Sequence, residues 1–437
     1  MKIRRLLIMI IAGGSLICSS IPGIAEEKTF TIEEAVAEVF TNNPQVKQAE
    51  NLVKSAKESL IIARTAFLPK ASMNYAYTGL SDTPVMKQGG IDVPAAHDNQ
   101  YHWDVSLVQP LFTGFALSSQ LKLAKLDLNT RTVEKEQQYI ELAKEIKSAC
   151  YNLLLANKMF NVAMEEVEAL TSHRDEARQF YTQGVIPKND LLKSEVALSS
   201  AIQRKEIADA AAKNAMAFVN MLMNAELMRP VSIVDIDETL FQKKYDYAAL
   251  SKQAKKNRPE LIALKQSLAK ADIGKTLARS GYYPEVAMIG QYERNGDSPS
   301  MSDNDYSNES NTSLTLQAKW TFFEWGKTKA DANKATHEKR ALKEAMKTVE
   351  NAVCLEVNSA LLNLNVAGKN ITTAKNSLEQ AKENWRITKA QYAEQISTSA
   401  DVLDARTFLT SADSNYYGAL YGYLISFAEL DRAVGRR

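Results

Sequence analysis

The chain consists of two related halves. Segment 42–77 aligns with segment 257–292 at a separation of 215 positions, and "LFTGF" at 111–115 aligns with "FFEWG" at 322–326 at a separation of 211. A single short match means little, but separations that stay this constant through most of each half indicate an internal duplication. Each half is predicted to run through a short helix, a second helix, a strand, a loop, a strand, a very long helix, a sharp reversal and a return helix.

The duplication sets the predicted boundaries. The first repeat is expected at 26–225, with strands at about 69–79 and 101–111, a long helix at about 113–183 and a return helix at about 190–225. A linker segment at 226–250 follows. The second repeat is expected at 251–437, with strands at about 284–293 and 312–323, a long helix at about 325–396 and a return helix at about 401–434.

The long helices are the strongest prediction. Neither 113–183 nor 327–396 contains a proline, and each contains a single glycine. About 70 helical residues extend roughly 105 Å. Both stretches carry a heptad repeat that alternates large and small apolar residues, which is typical of closely packed coiled coils. In the second repeat its members are Val357, Ala360, Leu364, Ala367, Ile371, Ala374, Leu378, Ala381, Trp385, Thr388 and Tyr392, and the positions 211 residues earlier repeat it with one break, at Arg174.

The predicted strands alternate between polar and apolar residues. One face of the two longer strands is polar, and its residues are His102, Asp104 and Ser106 in the first repeat and Ser313, Thr315, Gln317 and Lys319 in the second. Alternation over about ten residues with aromatic ends is typical of transmembrane β-strands. A half-buried sheet outside a membrane has the same alternation, so the pattern alone leaves both interpretations open.

The first residues have the pattern of a secretory signal peptide. Lys2, Arg4 and Arg5 precede a short apolar run, and Gly23-Ile24-Ala25 forms a small-x-small cleavage site. An uncleaved anchor helix is the alternative. Beyond the leader no run of 18 apolar residues occurs, so no transmembrane helix is predicted and insertion into a membrane would require a β-barrel.

Composition excludes several functions. Without the leader's three basic residues the chain carries 50 Lys and Arg against 52 Asp and Glu, a balance that argues against a nucleic-acid partner. The four histidines have no ligand spacing, and no nucleophile–base pair or phosphate loop is present, so no metal, no cofactor and no enzymatic activity are predicted. Cys150 and Cys354 remain in the exported chain, and whether they pair is open.

Four strands cannot close a barrel, and open sheet edges are not tolerated in lipid. Two copies would give eight strands, whose interior is filled by side chains, whereas three would give an open barrel of twelve. A pore made by these strands therefore requires at least a trimer.

The chain resembles the outer membrane efflux protein (TolC) family. The resemblance rests on the doubled "FLP"/"YYP" and "QPLFTGF"/"WTFFEWG" joints, the "GVIPKNDLL" and "QISTSADVLDA" reversals and the closing "ELDRAVG". It implies a mainly α protein with a membrane β-barrel: a homotrimer with a twelve-stranded barrel in outer-membrane lipid and a long α-helical tunnel across the periplasm of a Gram-negative bacterium. It also implies a passive exit duct for efflux or type I secretion, joined through a periplasmic adaptor to an inner-membrane pump of the RND or ABC type. An equatorial region would combine the N-terminal segment, residues about 226–250 and the C-terminus, and the polar strand faces would line the barrel lumen.

The resemblance also implies a gate at the reversals. The family's "DVLDA" element is present at 401–405, so Asp401 and Asp404 would line the closed periplasmic mouth, with Asp190 at the corresponding position of the first repeat. Carboxylates that converge on a narrow mouth favour cations and raise each other's pKa. An aspartate directly after a loop is also a common N-cap, which is the favoured interpretation for Asp190. Asp404 lies too far into the helix to be the cap if Asp401 is.

The residues of the two turns would contact the adaptor, although isolated exposed apolar residues such as these are equally compatible with a turn that has no partner. They are Gly184, Val185 and Ile186 in the first reversal and Gln395, Ile396 and Ser397 in the second. Gln395 stands where the first repeat has glycine. Ser397 stands where some members of the family have an arginine that helps to hold the tip closed. The sequence therefore does not predict which contact holds the tip of this chain closed. A coiled-coil scaffold free in the periplasm, without a pore, is the alternative function.

Overall fold

A computed structural model describes residues 28–235, 245–301, 306 and 308–437. The predicted leader at 1–25 lies outside the described residues, as do positions 236–244 of the predicted linker. Eight α-helices occur in the described part: α1 (Ile32–Asn42), α2 (Pro44–Thr65), α3 (Ala116–Thr182), α4 (Lys188–Leu222), α5 (Tyr247–Asn257), α6 (Pro259–Ala278), α7 (Lys327–Ala393) and α8 (Ser399–Ala433).

The described strands are shorter and are concentrated in the middle of each repeat. They are β1 (Lys28–Phe30), β2 (Lys70–Gly79), β3 (Val85–Gln88), β4 (Ile91–Pro94), β5 (Asn99–Thr113), β6 (Val231–Ile233), β7 (Glu285–Gly296) and β8 (Ser310–Lys319). A 3₁₀ turn at Arg279–Tyr282 joins α6 to β7. β3 and β4 form a hairpin within the loop predicted at 80–100, and the Gly89-Gly90 pair between them has φ of 63° and 89°, as a type I′ turn requires.

Helices α3 and α7 contain 67 residues each, which corresponds to about 100 Å. The heptad positions face inward: Ile146, Leu153, Val357 and Leu364 are buried, and the heptad positions of α7 between 367 and 388 are half-buried or buried. The short helices complete a layer around them. Towards the sheet α3 packs against α2 and α6, and towards the reversals it packs against α4 and α8. α7 packs against α6 and then α8 in the same way.

The main sheet is antiparallel with the order β2-β5-β7-β8. Each repeat supplies one hairpin, β2–β5 or β7–β8, and the central pairing of β5 with β7 joins the two repeats. The strand expected at 312–323 instead ends at Lys319. β8 is an edge strand, and nothing in the described chain pairs with residues 320–323.

The largest apolar core lies near the middle of the long helices. β1 pairs in parallel with β6, and both pack with α1, α5 and the C-terminal end of α8 against α3 and α7. Gly435 ends α8 with φ of 77°, and a Cβ there would lie 3.1 Å from the backbone of Asn257. The closing "ELDRAVG" thus fits tightly against the α5–α6 junction.

Ion pairs fix the same junction. The Arg258 guanidinium is almost fully buried and donates to Glu260 at 3.0 Å, to Glu356 of α7 at 2.8 Å and to the carbonyl of Ala433 at 3.2 Å. Arg432 contacts the same Glu356 and donates to Glu141 of α3 at 2.6 Å. A charge buried this deeply needs such partners, so the network ties α3, α6, α7 and α8 together.

Within the described residues, no helix combines the length and the apolar character that crossing a membrane would need.

Candidate functional site

Both reversals use the same backbone motif. At the end of α3 the amide of Val185 donates to the carbonyl of Phe180 and the amide of Gly184 donates to that of Tyr181, both at 2.9 Å. These two bonds define a Schellman motif, whose C′ residue is left-handed and usually glycine. Gly184 has φ of 76°, as the motif requires.

At the end of α7 the motif recurs without glycine. Ile396 donates to Gln391 at 2.8 Å and Gln395 donates to Tyr392 at 2.9 Å. Gln395 adopts φ of 59°, a conformation that costs an L-residue roughly 1–2 kcal/mol. The departure from glycine noted in the sequence therefore leaves the turn geometry unchanged and adds strain.

The two return helices begin two residues earlier than expected, and Asp190 is not the N-cap of α4. The N-cap is Pro187, which has no side chain able to cap, and Asp190 occupies the third helical position. Its carboxylate pairs with Lys193 at 3.2 Å. An acidic group in the first turn is still favoured by the helix dipole.

The N-cap of α8 is Thr398, and Asp401 is its partner in a capping box. Asp401 Oδ2 accepts from the Thr398 amide at 2.9 Å and from Thr398 Oγ1 at 2.7 Å, while the Asp401 amide donates to Thr398 Oγ1 at 3.2 Å. The bonds from the Thr398 hydroxyl and amide lower the pKa of Asp401. The carboxylate is thus held ionised and in a fixed orientation.

Asp401 and Asp404 lie on the same exposed face of α8. They are three positions apart, so their side chains are neighbours on the helix surface, whereas Val402 and Ala405 between and beside them are buried. In the described part of the chain no hydrogen bond or ion pair engages the Asp404 carboxylate. The structure thus brings two carboxylates together on one surface at the second reversal, while Asp190 supplies one at the first.

A buried cluster behind the second reversal was not apparent from the sequence. His173 of α3 is 3% exposed, and its Nε2 lies 2.9 Å from Ser399 Oγ of α8. Its ring packs on Tyr392 at a centroid distance of 4.8 Å, and Phe180 packs on the same tyrosine at 5.5 Å. Burial, with a smaller contribution from Lys389, lowers the pKa of His173 to about 4. The cluster joins the end of the first repeat's long helix to the hairpin of the second.

The turn residues expected to contact an adaptor differ in exposure. Ile396 is 75% exposed and Val185 is 44% exposed, whereas Ile186 is half-buried. Ser397 turns inward, and its hydroxyl donates to the carbonyl of Thr388 at 3.2 Å. The apolar tip is therefore formed mainly by Val185 and Ile396, with Gly184 and Gln395 exposed beside them.

The register of the sheet places the predicted polar residues on one face. Ser106 pairs with Gln291, which pairs with Ser313, and Asp104 and His102 pair with Glu293 and Asn295. Residues directly opposite each other in a ladder share a face, so this face also includes residues absent from the prediction: Ser72, Asn74, Gln291, Glu293 and Asn295. The alternation of "PKASMNYAY" could have identified Ser72 and Asn74.

Hydrogen bonds run across the polar face. The Ser72 and Ser106 hydroxyls are 2.7 Å apart, His102 Nδ1 lies 2.7 Å from Asn295 Oδ1, and His102 Nε2 lies 3.1 Å from Asp104 Oδ1. Thr315, Gln317 and Lys319 extend the face along β8.

The opposite face of the sheet is apolar and exposed. Met73, Leu314 and Leu316 are about 70% exposed or more, and Tyr75, Tyr77 and Leu107 are about half exposed. A continuous exposed apolar surface of this extent marks a site of interaction with lipid or with another protein.

No group of three or more potential metal ligands occurs among the described residues. Cys150 and Cys354 are both free thiols; Cys150 is buried and its pKa is raised to about 12 by burial, which makes it unreactive.

The fold and the site define a class of protein: a duplicated, long-helix protomer with a short two-faced sheet at one end and a pair of carboxylate-bearing hairpins at the other. The family model for "Outer membrane efflux protein" matches residues 35–224 and 250–436. The chain belongs to this family.

Similar proteins with curated names include outer membrane protein TolC of Escherichia coli K12, which is 22% identical over 407 residues, covering 90% of this chain and 80% of TolC. The alkaline protease secretion protein AprF of Pseudomonas aeruginosa is 23% identical over 403 residues, covering 89% of this chain and 81% of AprF.

Solved structures share the fold. The CmeC outer membrane channel of Campylobacter jejuni has a TM-score of 0.79 at 15% identity, covering 92% of this chain and 85% of CmeC. The outer-membrane channel OprN has a TM-score of 0.77 at 16% identity, covering 93% and 90%. The predicted family, the mainly helical fold class and the outer-membrane location are thereby confirmed. The protein is an exit channel of the efflux or secretion class.

Proposed function

We propose that three copies of this chain form a passive exit duct, with a twelve-stranded barrel in outer-membrane lipid and a helical tunnel in the periplasm. The observation that carries the proposal is the four-stranded sheet with one polar face, one exposed apolar face and two open edges, β2 and β8. An open edge in lipid is not tolerated, and a sheet with these two faces suits a wall between lipid and a water-filled lumen.

The helical layer supports the same assembly. Among the described residues its α2/α4 side and its α7 side are edges of the helical layer, as β2 and β8 are edges of the sheet. Joining the edges of three copies closes the sheet and the helical layer together, and His102, Asp104, Ser106, Ser313, Thr315, Gln317 and Lys319 then line the barrel lumen. The exposed apolar face favours this channel over a scaffold free in the periplasm, for which such a surface would be a liability.

The reversals form the periplasmic entrance in this proposal. Threefold symmetry arranges Asp401 and Asp404 as two rings of carboxylates, with Asp190 nearby on the first hairpin. The capping box orients Asp401, and Asp404 remains unpaired in the described chain, so both are able to attract cations. The apolar Val185 and Ile396 at the tip contact a periplasmic adaptor, which connects the duct to an inner-membrane pump of the RND or ABC type.

Ion selectivity in planar bilayers tests the gate. Asp404→Asn should reduce the cation preference and the block by divalent cations, and combining it with Asp401→Asn should reduce both further, because each change removes three charges from the entrance. Thr398→Ala is the matched control, since it breaks the capping box and retains every carboxylate. Selectivity that stays unchanged in the double variant would place these aspartates away from the conducting path.

A further inference from the structure

The helices next to the sheet carry an excess of positive charge that the helices next to the reversals lack. The parts of α2, α3, α6 and α7 beside the sheet contain 19 Lys and Arg against 9 Asp and Glu, and the parts of α3, α4, α7 and α8 beside the reversals contain 11 against 13. The segments counted are 44–65, 116–135, 259–282 and 327–347 beside the sheet, and 163–182, 188–207, 374–393 and 399–418 beside the reversals. The excess therefore belongs to one part of the molecule and is not a general property of its surface.

The helical layer has two sides, and contacts at its joint with the sheet show which side continues the polar face. Lys319 and Glu285, which are paired on the polar face, line a groove together with Leu277 of α6 and Asp331 of α7. Asp331 and Leu277 thus lie on the side of the layer that continues the polar face of the sheet.

The same side can be followed across the layer. Lys270 lies two helical turns before Leu277, on the same side of α6, and pairs with Asp127 of α3 at 2.5 Å. Arg131, one turn after Asp127, borders Gln45 of α2. One residue on each of the four helices therefore marks this side, which the proposed channel makes the lumen side.

The opposite side of α7 and α2 is basic. At about 100° per residue, four basic residues of α7 lie roughly 120–180° around the helix from Asp331, and four of α2 lie roughly 100–180° around from Gln45. All eight are exposed: Lys329, Arg340, Lys343 and Lys347 on α7, and Lys47, Lys54, Lys57 and Arg64 on α2.

The two central helices extend the pattern. Further exposed basic residues lie roughly 140–180° around from Asp127 on α3 and from Lys270 on α6. They are Lys122 and Lys125 on α3, and Lys265 and Arg279 on α6 and directly after it. We refer to these twelve exposed residues of α2, α3, α6 and α7 as the basic face. Within the counted segments, the acidic residues on the same side are Glu50, Glu58, Asp272 and Glu344.

The two sides also differ in how their charges are compensated. On the lumen side Arg131 pairs with Glu134 at 2.8 Å, in addition to the ion pair that joins α6 to α3. Of the twelve residues of the basic face, Lys347 alone has an ion pair within the described chain, with Glu344 at 2.9 Å. The charge of the basic face is thus left largely uncompensated, whereas the lumen side neutralises its own.

The α7 part of the basic face is unfavourable for the chain by itself. Arg340, Lys343 and Lys347 are three and four positions apart, so they are neighbours on the helix surface and repel each other. An anionic partner bound along the helix would offset this repulsion. The row therefore indicates a surface that recognises negative charge.

The length of the basic face distinguishes between anionic partners. Trp320 and Phe322 are exposed on the apolar face just before α7, as aromatic residues are at the edge of a membrane barrel. From Lys329 to Lys347 the face continues for about 27 Å. Headgroups occupy only roughly 5–8 Å on each side of the hydrocarbon core, and charges are screened within about 8 Å. A lipid surface thus reaches only the first turns, whereas an extended polymer can follow the whole face.

We propose that the basic face binds the carboxylates of the periplasmic cell-wall polymer, which are carried by the peptide stems of peptidoglycan, where the duct passes through the wall below the outer membrane. The inference rests on the proposed channel, which places the sheet in outer-membrane lipid and the helices in the periplasm. Binding at this face anchors the duct to the wall and leaves the lumen side, with its paired charges, free for transport.

Co-sedimentation of the detergent-solubilised protein with isolated peptidoglycan sacculi tests the proposal. The protein should sediment with the sacculi at low ionic strength and be released in about 0.5 M salt, because exposed charges are then screened. Sacculi whose carboxylates have been amidated should not bind it. Equal sedimentation with the amidated sacculi would overturn the recognition of carboxylates.

Two variants of α7 with the same change in net charge separate the basic face from charge in general. Arg340→Gln with Lys343→Gln should weaken binding to sacculi by about tenfold, since it removes two exposed charges from the face in every copy. Lys327→Gln with Lys334→Gln is the matched control on the lumen side of the same helix and should bind as the unsubstituted protein does. Circular dichroism and light scattering verify that both variants keep their helix content and oligomeric state. Equal weakening by the two variants would contradict the proposal.

Bilayer conductance separates this inference from the proposed channel. A protein that conducts but does not sediment with sacculi would overturn the inference while the channel stands, whereas a protein that forms no pore would contradict the channel itself. Thermal stability in lipid vesicles examines the other anionic surface. If phosphatidylglycerol raises the Tm of the unsubstituted protein above its value in phosphatidylcholine, but not that of the Arg340 and Lys343 variant, and sacculi do not bind, the basic face recognises headgroups and the proposal is wrong.

Discussion

The two repeats form the same turns with different residues. At the reversals the left-handed position is Gly184 in one repeat and Gln395 in the other, with φ of 76° and 59°. At the strand-to-helix joints two successive residues are left-handed in both repeats: Gly114 and Phe115, with φ of 59° and 70°, and Trp325 and Gly326, with φ of 49° and 81°. The backbone path is thus common to both repeats, whereas the glycines have moved.

The difference shows where a glycine is required and where it only relieves strain. A Cβ on Gly114 would lie 2.5 Å from Ser280 O and 3.0 Å from Tyr283 Cβ, whereas Gly326 and Gly184 have open space around them. The hairpins also differ at the helix starts, since the first has Pro187 without a capping side chain and the second has the Thr398–Asp401 capping box. The first hairpin therefore has the better helix end and the second the better helix start.

The largest expected effect is at the first strand-to-helix joint. Gly114→Ala should lower the free energy of unfolding by about 3 kcal/mol, because the left-handed backbone costs roughly 1–2 kcal/mol and overpacking against the Ser280 backbone adds a similar amount. Gly326→Ala is the matched control and should cost only about 1 kcal/mol. Denaturant titration of the detergent-solubilised protein measures both, and equal losses would show that the two glycines have the same role.

The next effect concerns a histidine that only the first repeat buries. His173 corresponds to Asn384, which is exposed on α7. The folded pKa of His173 is about 4, below the ordinary value of 6.5, so the unfolded chain binds a proton that the folded chain does not. The stability from the neutral ring is complete above pH 6.5 and should fall by about 1.4 kcal/mol per pH unit as the pH decreases from 6.5 towards 4.

His173→Gln isolates this effect, because glutamine can form a hydrogen bond with Ser399 but does not titrate. The free energy of unfolding of the unsubstituted protein minus that of the variant should decrease as the pH falls across that window, because the contributions of the other titrating groups cancel. Asn384→Gln serves as the control at the corresponding position and should leave the pH dependence unchanged. A constant difference between pH 7 and pH 5 would mean that His173 titrates near its ordinary pKa in the folded protein.

The sequence predicts the fold well because each element of one repeat has a counterpart in the other, so two separate segments support each prediction. The long helices, the hairpin in each repeat and the polar face of β5 and β8 all follow from local periodicity. The helix starts at Lys188 and Ser399 are missed by two residues, because aspartate is a good N-cap in general but Thr398 forms the capping box here and Pro187 precedes Asp190. The pattern Thr-x-x-Asp at 398–401 indicates a capping box and could have located the start of α8.

Other features depend on tertiary contacts that no local pattern encodes. The His173–Ser399 contact joins residues 226 positions apart, and a single histidine on a helix does not indicate which helix will cover it. The end of β8 at Lys319 depends on an absent neighbouring strand, although "WTFF" continues the alternation. The lumen assignment of the polar face, the gate and the adaptor contact are proposals, and the ion selectivity of the Asp401 and Asp404 variants tests the gate.

The smallest expected effect tests the comparison of the two reversals directly, since exchanging the residue at the left-handed position should change stability in opposite directions at the two turns. Gly184→Ala should destabilise the first hairpin by about 1 kcal/mol, because alanine must adopt the left-handed conformation. Gln395→Gly should stabilise the second by up to about 1 kcal/mol, because relief of strain exceeds the added freedom of the unfolded chain. Hydrogen exchange of the tip amides, Val185 and Ile396 among them, reports each hairpin separately. If Gln395→Gly instead speeds exchange at the second tip, the glutamine side chain stabilises the turn through contacts outside its backbone motif, and the two reversals differ in more than the placement of glycine.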